Sequence, residues 1–273
     1  MRQKNKVAVV LSLYYLFLVA WWVELLVTHS VNTQQNYLFA FSFALIPMAG
    51  GIFGLINSKR WGFLSSITGK STFYIALGLI SWSLGQIIFS FYNIFLNVEI
   101  PYPSSADVAF IISWPLWGIG IFHLGRVTGA KFGFKSHAGR YMSLVLSAVA
   151  IVFSYYLLIV VARGGVFDFS DSSAIKIFFD LFYPIADIVV LNLVVVVYGL
   201  SFKYLGGKFK FAINTIFLGI LCNYFADFSF SYTTTLQTFY SGNWVDLLFA
   251  TAMFLLSLGL VLLNPISSEP KQV

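Results

Sequence analysis

Long apolar stretches alternate along the chain with short polar joints. Eight of them run over roughly 7–28, 37–56, 72–92, 106–124, 143–161, 176–200, 211–230 and 245–263. A helix needs about 20 residues to cross about 30 Å of hydrocarbon, and each stretch has that length. Lipid offers no partner to an unpaired backbone group, so each stretch is expected as a helix. The short alternating strands of a membrane β-barrel do not occur. The pattern therefore predicts an all-α membrane protein: one transmembrane domain over 1–273 with eight transmembrane helices.

Composition agrees. Only 10% of the residues are charged, 59% are hydrophobic and Phe occurs 30 times. A soluble domain carries about 25% charged residues, and so greasy a surface would not stay dispersed in water. The first partner implied is the lipid bilayer. The opening stretch follows Arg2, Lys4 and Lys6 as a signal peptide would. It is too long for one, and its exit WWVELLVTHS lacks the small residues of a cleavage site, so it is expected to stay as a span. The single cysteine, Cys222, lies inside the seventh stretch and has no partner for an internal disulfide.

The net charge of +6 gives orientation rather than a nucleic-acid partner. Arg2, Lys4 and Lys6 precede the first stretch; Lys59, Arg60 and Lys70 join the second to the third. Arg126, Lys131, Lys135 and Arg140 join the fourth to the fifth, and Lys203, Lys208 and Lys210 the sixth to the seventh. The alternate joints hold only Arg163 and Lys176. This is the positive-inside bias, and it predicts a multi-pass protein of the cytoplasmic membrane with both termini cytoplasmic.

An internal echo divides the chain into pseudo-repeats 1–135 and 136–273. A shift of 139 residues lays Asp107-Val108-Ala109-Phe110 on Asp246-Leu247-Leu248-Phe249, and Gly120 on Gly259. A shift of 141 lays Gly78 and Gln86 on Gly219 and Asp227, and one of 137 lays Pro47-Met48-Ala49-Gly50 on Pro184-Ile185-Ala186-Asp187. Each half has an even number of spans, so the expected architecture is two parallel four-helix halves.

Of the ten acidic residues, only Glu269 falls on the predicted cytoplasmic side. Acids contribute little to orientation, so an acidic pocket open to the outside is expected. Asp187 lies about 11 residues into the sixth stretch, about 16 Å deep at about 1.5 Å per residue. An aspartate at that depth costs roughly 2.5–3.5 kcal/mol and usually faces the bundle interior. Asp180, Tyr183, Pro184 and Asp187 fall at i, i+3, i+4 and i+7, one helical face. Pro184 deprives the Asp180 carbonyl of its donor, and a helix broken there would be a binding element. Asp187 could instead bond a neighbouring helix and serve only as glue. Asp227 sits near the outer end of the seventh stretch, where the helix dipole disfavours an acid. Asp107 and Asp246 read equally as helix-start acids, with Ser104 and Asn243 as caps. Gln86, Tyr92 and Trp244 complete the candidate ligand-binding set. Tyr102, Trp82, Trp114, Trp117 and Tyr224 add aromatic faces that suit a cation, or that anchor the protein at the interface.

The metal content stays open: an all-oxygen cation site from Asp180, Asp187 and Asp227 is compatible with the chain. The three histidines, His29, His123 and His137, are scattered. No nucleophile constellation and no phosphate loop occur, so no enzymatic activity is expected, and no cofactor is indicated.

Gly85-Gln86, PYPSSAD at 101–107, YPIAD at 183–187, Ala226-Asp227 and SGNWVD at 241–246 together resemble the eight-helix membrane region at the N-terminus of some bacterial diguanylate cyclases and sensor histidine kinases. The resemblance covers nearly the whole chain. It implies a sensor that feeds a cytoplasmic catalytic domain. Only NPISSEPKQV follows the eighth stretch, so the expectation is either a membrane module alone or output through a separate cytoplasmic signalling protein. The function expected is that of a receptor-like sensor for a small ligand, cation or proton. A transporter of a cation or cationic solute is the alternative, though polar groups of the inner half are few: Ser42, Asn192, Asn214 and Ser257.

Overall fold

The computed structural model describes residues 3–96, 98, 101–127, 137–165, 173–201 and 209–265. Among them every regular element is helical: α1 (Gln3–Val27), α2 (Gln34–Phe43), α3 (Leu45–Arg60), α4 (Ile67–Phe91), α5 (Ser105–Val127), α6 (His137–Tyr155), α7 (Ala174–Ser201), α8 (Lys210–Thr235) and α9 (Trp244–Leu262). π-helical turns extend α4 over Tyr92–Leu96 and α6 over Tyr156–Val161. Eight spans are long and apolar enough to cross a membrane, α2 and α3 together making the second, Gln34–Arg60. They fall where the apolar stretches predict.

The interruption in that second span has a local cause. Pro47 carries no N–H, which leaves a carbonyl one turn earlier without its donor. The helix parts at Ala44, and neighbouring side chains take up the carbonyls on both sides. Gln86 donates to Ala40 O (3.4 Å), Tyr14 to Ser42 O (3.0 Å), Ser83 to Ala44 O (2.7 Å) and Ser257 to Ile46 O (3.2 Å). The break expected at Pro184 is not found: α7 runs without interruption from Ala174 to Ser201. One missing hydrogen bond leaves a helix its course; the second span parts where four donors surround it.

Glycines set the closest helix pairs, because a missing side chain lets backbones approach. A Cβ at Gly120 on α5 would lie 2.5 Å from Ile75 Cγ1 of α4 and 3.2 Å from Ser71 O. One at Gly259 on α9 would lie 2.5 Å from Ile216 Cγ1 of α8 and 3.0 Å from Ala212 O. Gly78 meets Trp117 as Gly219 meets Leu256. The α4–α5 and α8–α9 pairs are thus the most extensive interfaces, with α3 packed on α9 and α7 on α5. The apolar core runs through all of them and includes Phe39, Phe43, Trp117, Ile121 and Leu256, all fully buried.

Two polar ties hold the periphery. At one end of the bundle Asn57 Nδ2 donates to Leu260 O (2.9 Å) and Trp61 Nε1 to Leu263 O (3.1 Å), joining α3 to α9. At its edge α6 rests on α7. There Ser147 Oγ donates to Asn192 Oδ1 (3.1 Å), and Asn192 Nδ2 to Ser147 O (3.1 Å).

Candidate functional site: a two-tier acidic cluster

The outer tier begins at the start of α5. Ser104 caps the helix, its Oγ accepting from Ala106 N (3.2 Å). Asp107 Oδ2 accepts in return from Ser104 N (2.7 Å) and Ser104 Oγ (3.1 Å). This is the reciprocal cap that the sequence pattern predicts. The other oxygen does something further: Asp107 Oδ1 accepts from the Tyr183 hydroxyl of α7 at 2.9 Å. One turn before Tyr183, Asp180 Oδ1 accepts from the Tyr102 hydroxyl (2.8 Å), and Arg163 Nη1 stands 3.9 Å from the same oxygen. Burial first, then the hydrogen bond and charge of Asp180, push the Tyr102 phenol above its ordinary range.

The inner tier lies between α7 and α8. Asp187 is 2% exposed and stands within electrostatic range of Asp227, which also acts on Tyr183 above it. Asp227 Oδ2 accepts from Asn223 Nδ2 at 2.6 Å, one turn back on α8. Tyr224, 1% exposed, feels the Asp187 charge and faces the Ser154 hydroxyl of α6. That contact does not reach hydrogen-bond geometry. Asp187 Oδ1, Asn223 Oδ1, Tyr224 OH and Ser154 Oγ are all buried and without a hydrogen-bond partner. Each such group costs about 1–3 kcal/mol, and four of them on three neighbouring helices mark a place that protein atoms alone do not complete.

The cluster thus gathers five of the sequence candidates: Asp107, Asp180, Tyr183, Asp187 and Asp227. The remaining four have other surroundings. Gln86 serves the broken second span. Asp246 Oδ2 accepts from Gly242 N (2.6 Å) beside Asn243, which caps α9 through Val245 N (2.9 Å). Tyr92 opens the π-helical turn that follows α4 and packs by α2. Trp244 lines a cleft of about 50 Å³ with Trp22, Ser30 and Tyr240.

The aromatic faces do not form a cage. Trp82 packs among Phe43, Phe110 and Phe249 at 5.5–6.0 Å between ring centres, and Trp114 stacks edge-on to the buried Trp117. Tyr102 and Tyr183 meet the acids through hydroxyls instead. Sequence reasoning missed Asn223 and Ser154. Asn223 had a signal, since it precedes Asp227 by one helical turn; Ser154 had none, because serine is common in spanning helices. Arg163 figured only as a joint charge.

Among the described residues no three His, Cys, Asp or Glu side chains come together as a metal-ligand group. Compared with known proteins, the chain matches no family model, no curated protein and no solved structure.

Proposed function

We propose that the protein is an integral membrane receptor-like module that takes up a small positive ligand, a cation or a proton at Asp187 and Asp227. One observation carries this reading: the buried carboxylate of Asp187 and the half-buried one of Asp227 on the adjacent helix, within electrostatic range of each other and beside polar atoms that lack partners. Neighbouring carboxylates repel one another, which a proton or a cation between them relieves. The outer tier supports access from the acidic end, which the positive-inside bias assigns to the extracytoplasmic side. Both termini are then cytoplasmic. The matched glycine contacts of α4–α5 and α8–α9 favour two parallel halves. Occupancy shifts one half against the other if the ligand binds the two arrangements unequally, and a cytoplasmic partner reads the shift.

A transporter is the second reading. Two of the polar groups available for an inner path are already engaged: Ser257 with Ile46 O, and Asn192 with Ser147. That favours a dead-end site.

Thermal unfolding of the purified protein in nanodiscs, screened against metal ions, amines and pH, tests the proposal. A ligand that raises the midpoint of the wild type but not of Asp187→Asn is the expected result. Flux of that ligand in proteoliposomes would replace receptor by transporter. A screen in which no ligand distinguishes the two proteins would end both readings.

A further inference from the structure

Two corresponding places of the internal repeat treat their polar groups in opposite ways. Around Ala44 the donors Gln86, Ser83 and Ser257 each satisfy a carbonyl. The shifts of 141 and 139 residues give their counterparts as Asp227, Tyr224 and Gly118. Aspartate supplies acceptors where glutamine supplied a donor. The Tyr224 hydroxyl has no partner. Gly118 has no side chain, and a Cβ there would meet no atom within 4 Å.

The apolar positions diverge in the same direction. Gly50 is so tightly packed that a Cβ would fall 2.1 Å from Ser257 Oγ; its counterpart is Asp187. Trp82, wedged among three Phe rings, has Asn223 as its counterpart. The surroundings of Ala44 are closed, and their carbonyls are satisfied from α4 and α9. The corresponding place on α7 and α8 presents oxygens without protein partners.

Resting on the reading above, we infer that Asp187, Asp227, Asn223 and Tyr224 form a site for a monovalent metal cation of the sodium class. Carboxylate, amide and hydroxyl oxygens are hard donors, which select hard cations over soft metals. Calcium takes 6–8 oxygens with several carboxylates, whereas only two carboxylates meet here. An organic cation does not fit a site whose Asp187, Asn223 and Tyr224 are 2%, 0% and 1% exposed, with only Asp227 half-buried. A bare ion of small radius does. It also supplies positive charge to the neighbouring carboxylates, and Asp107 in the outer tier adds negative charge beside Tyr183.

The test uses the full chain in nanodiscs at fixed pH and ionic strength, with sodium chloride exchanged stepwise for N-methylglucamine chloride. The thermal midpoint of the wild type should rise by several degrees and saturate with sodium. Asp187→Asn and Asn223→Ala should lose that dependence, while Gln86→Ala, outside the site, should keep it. Asp227→Asn stands in if either variant fails to fold. Equal midpoints in sodium and N-methylglucamine, or sodium dependence that survives in Asp187→Asn, would overturn the assignment. If calcium, an amine or protons instead give a response that needs Asp187, the sodium assignment fails and the receptor-like reading stands. If nothing gives such a response, both fail.

Discussion

The Tyr183 hydroxyl of α7 reaches across 2.9 Å to Asp107 of α5, while the second oxygen of Asp107 holds the start of its own helix. One carboxylate thus couples a cap to an interhelical tie. Tyr183→Phe removes only the tie, and interhelical hydrogen bonds in membranes contribute about 0.6 kcal/mol, at most about 1.7. Asp107→Ala removes both, adding the roughly 0.5–1.5 kcal/mol of the lost bond back to Ser104. Chemical unfolding in detergent should therefore rank Asp107→Ala below Tyr183→Phe. Equal losses would mean that the cap contributes nothing.

Three glycines of similar appearance should respond differently to alanine. Gly120→Ala and Gly259→Ala push a methyl against Ile75 and Ile216, an overpacking that costs about 1–3 kcal/mol. Gly118→Ala meets open space and gains up to about 1 kcal/mol in helix propensity. Unfolding midpoints should fall for the first two and hold or rise for the third.

Asp187→Asn should unfold at a higher temperature than the wild type when neither has ligand. A buried aspartate near the middle of a span is costly by roughly 2.5–3.5 kcal/mol, and a group kept at such cost is a mark of function. Differential scanning calorimetry in sodium-free buffer reads the sign. A clear fall would make Asp187 structural glue.

Asn192 is the hold of α7 on the peripheral α6. Asn192→Ala should weaken that seam by about 1 kcal/mol and leave α4, α5, α8 and α9 as they are. Hydrogen exchange should quicken over 144–161 and stay unchanged over 67–91.

The spans were legible in the sequence because lipid imposes length and apolarity on each one separately. The face Asp180–Tyr183–Asp187 was legible for a similar reason, since helical periodicity places it without any partner helix. What stayed hidden depends on neighbours. Whether a proline breaks its helix turns on donors from elsewhere, so Pro47 and Pro184 look alike in the chain and differ in the fold. Gln86 and Asp246 look like site residues until their acceptor and donor, Ala40 O and Gly242 N, are seen beside them. Asn223 and Ser154 matter only through what fails to reach them.

The bonds from Asn57 and Trp61 to the last turn of α9 have a mechanical consequence. They weld the end of α9 to the end of α3, so that α9 cannot slide or swivel there without carrying α3 with it. The last turn of α9 therefore answers to α3 as well as to its neighbour α8, as a tiller does to two hands.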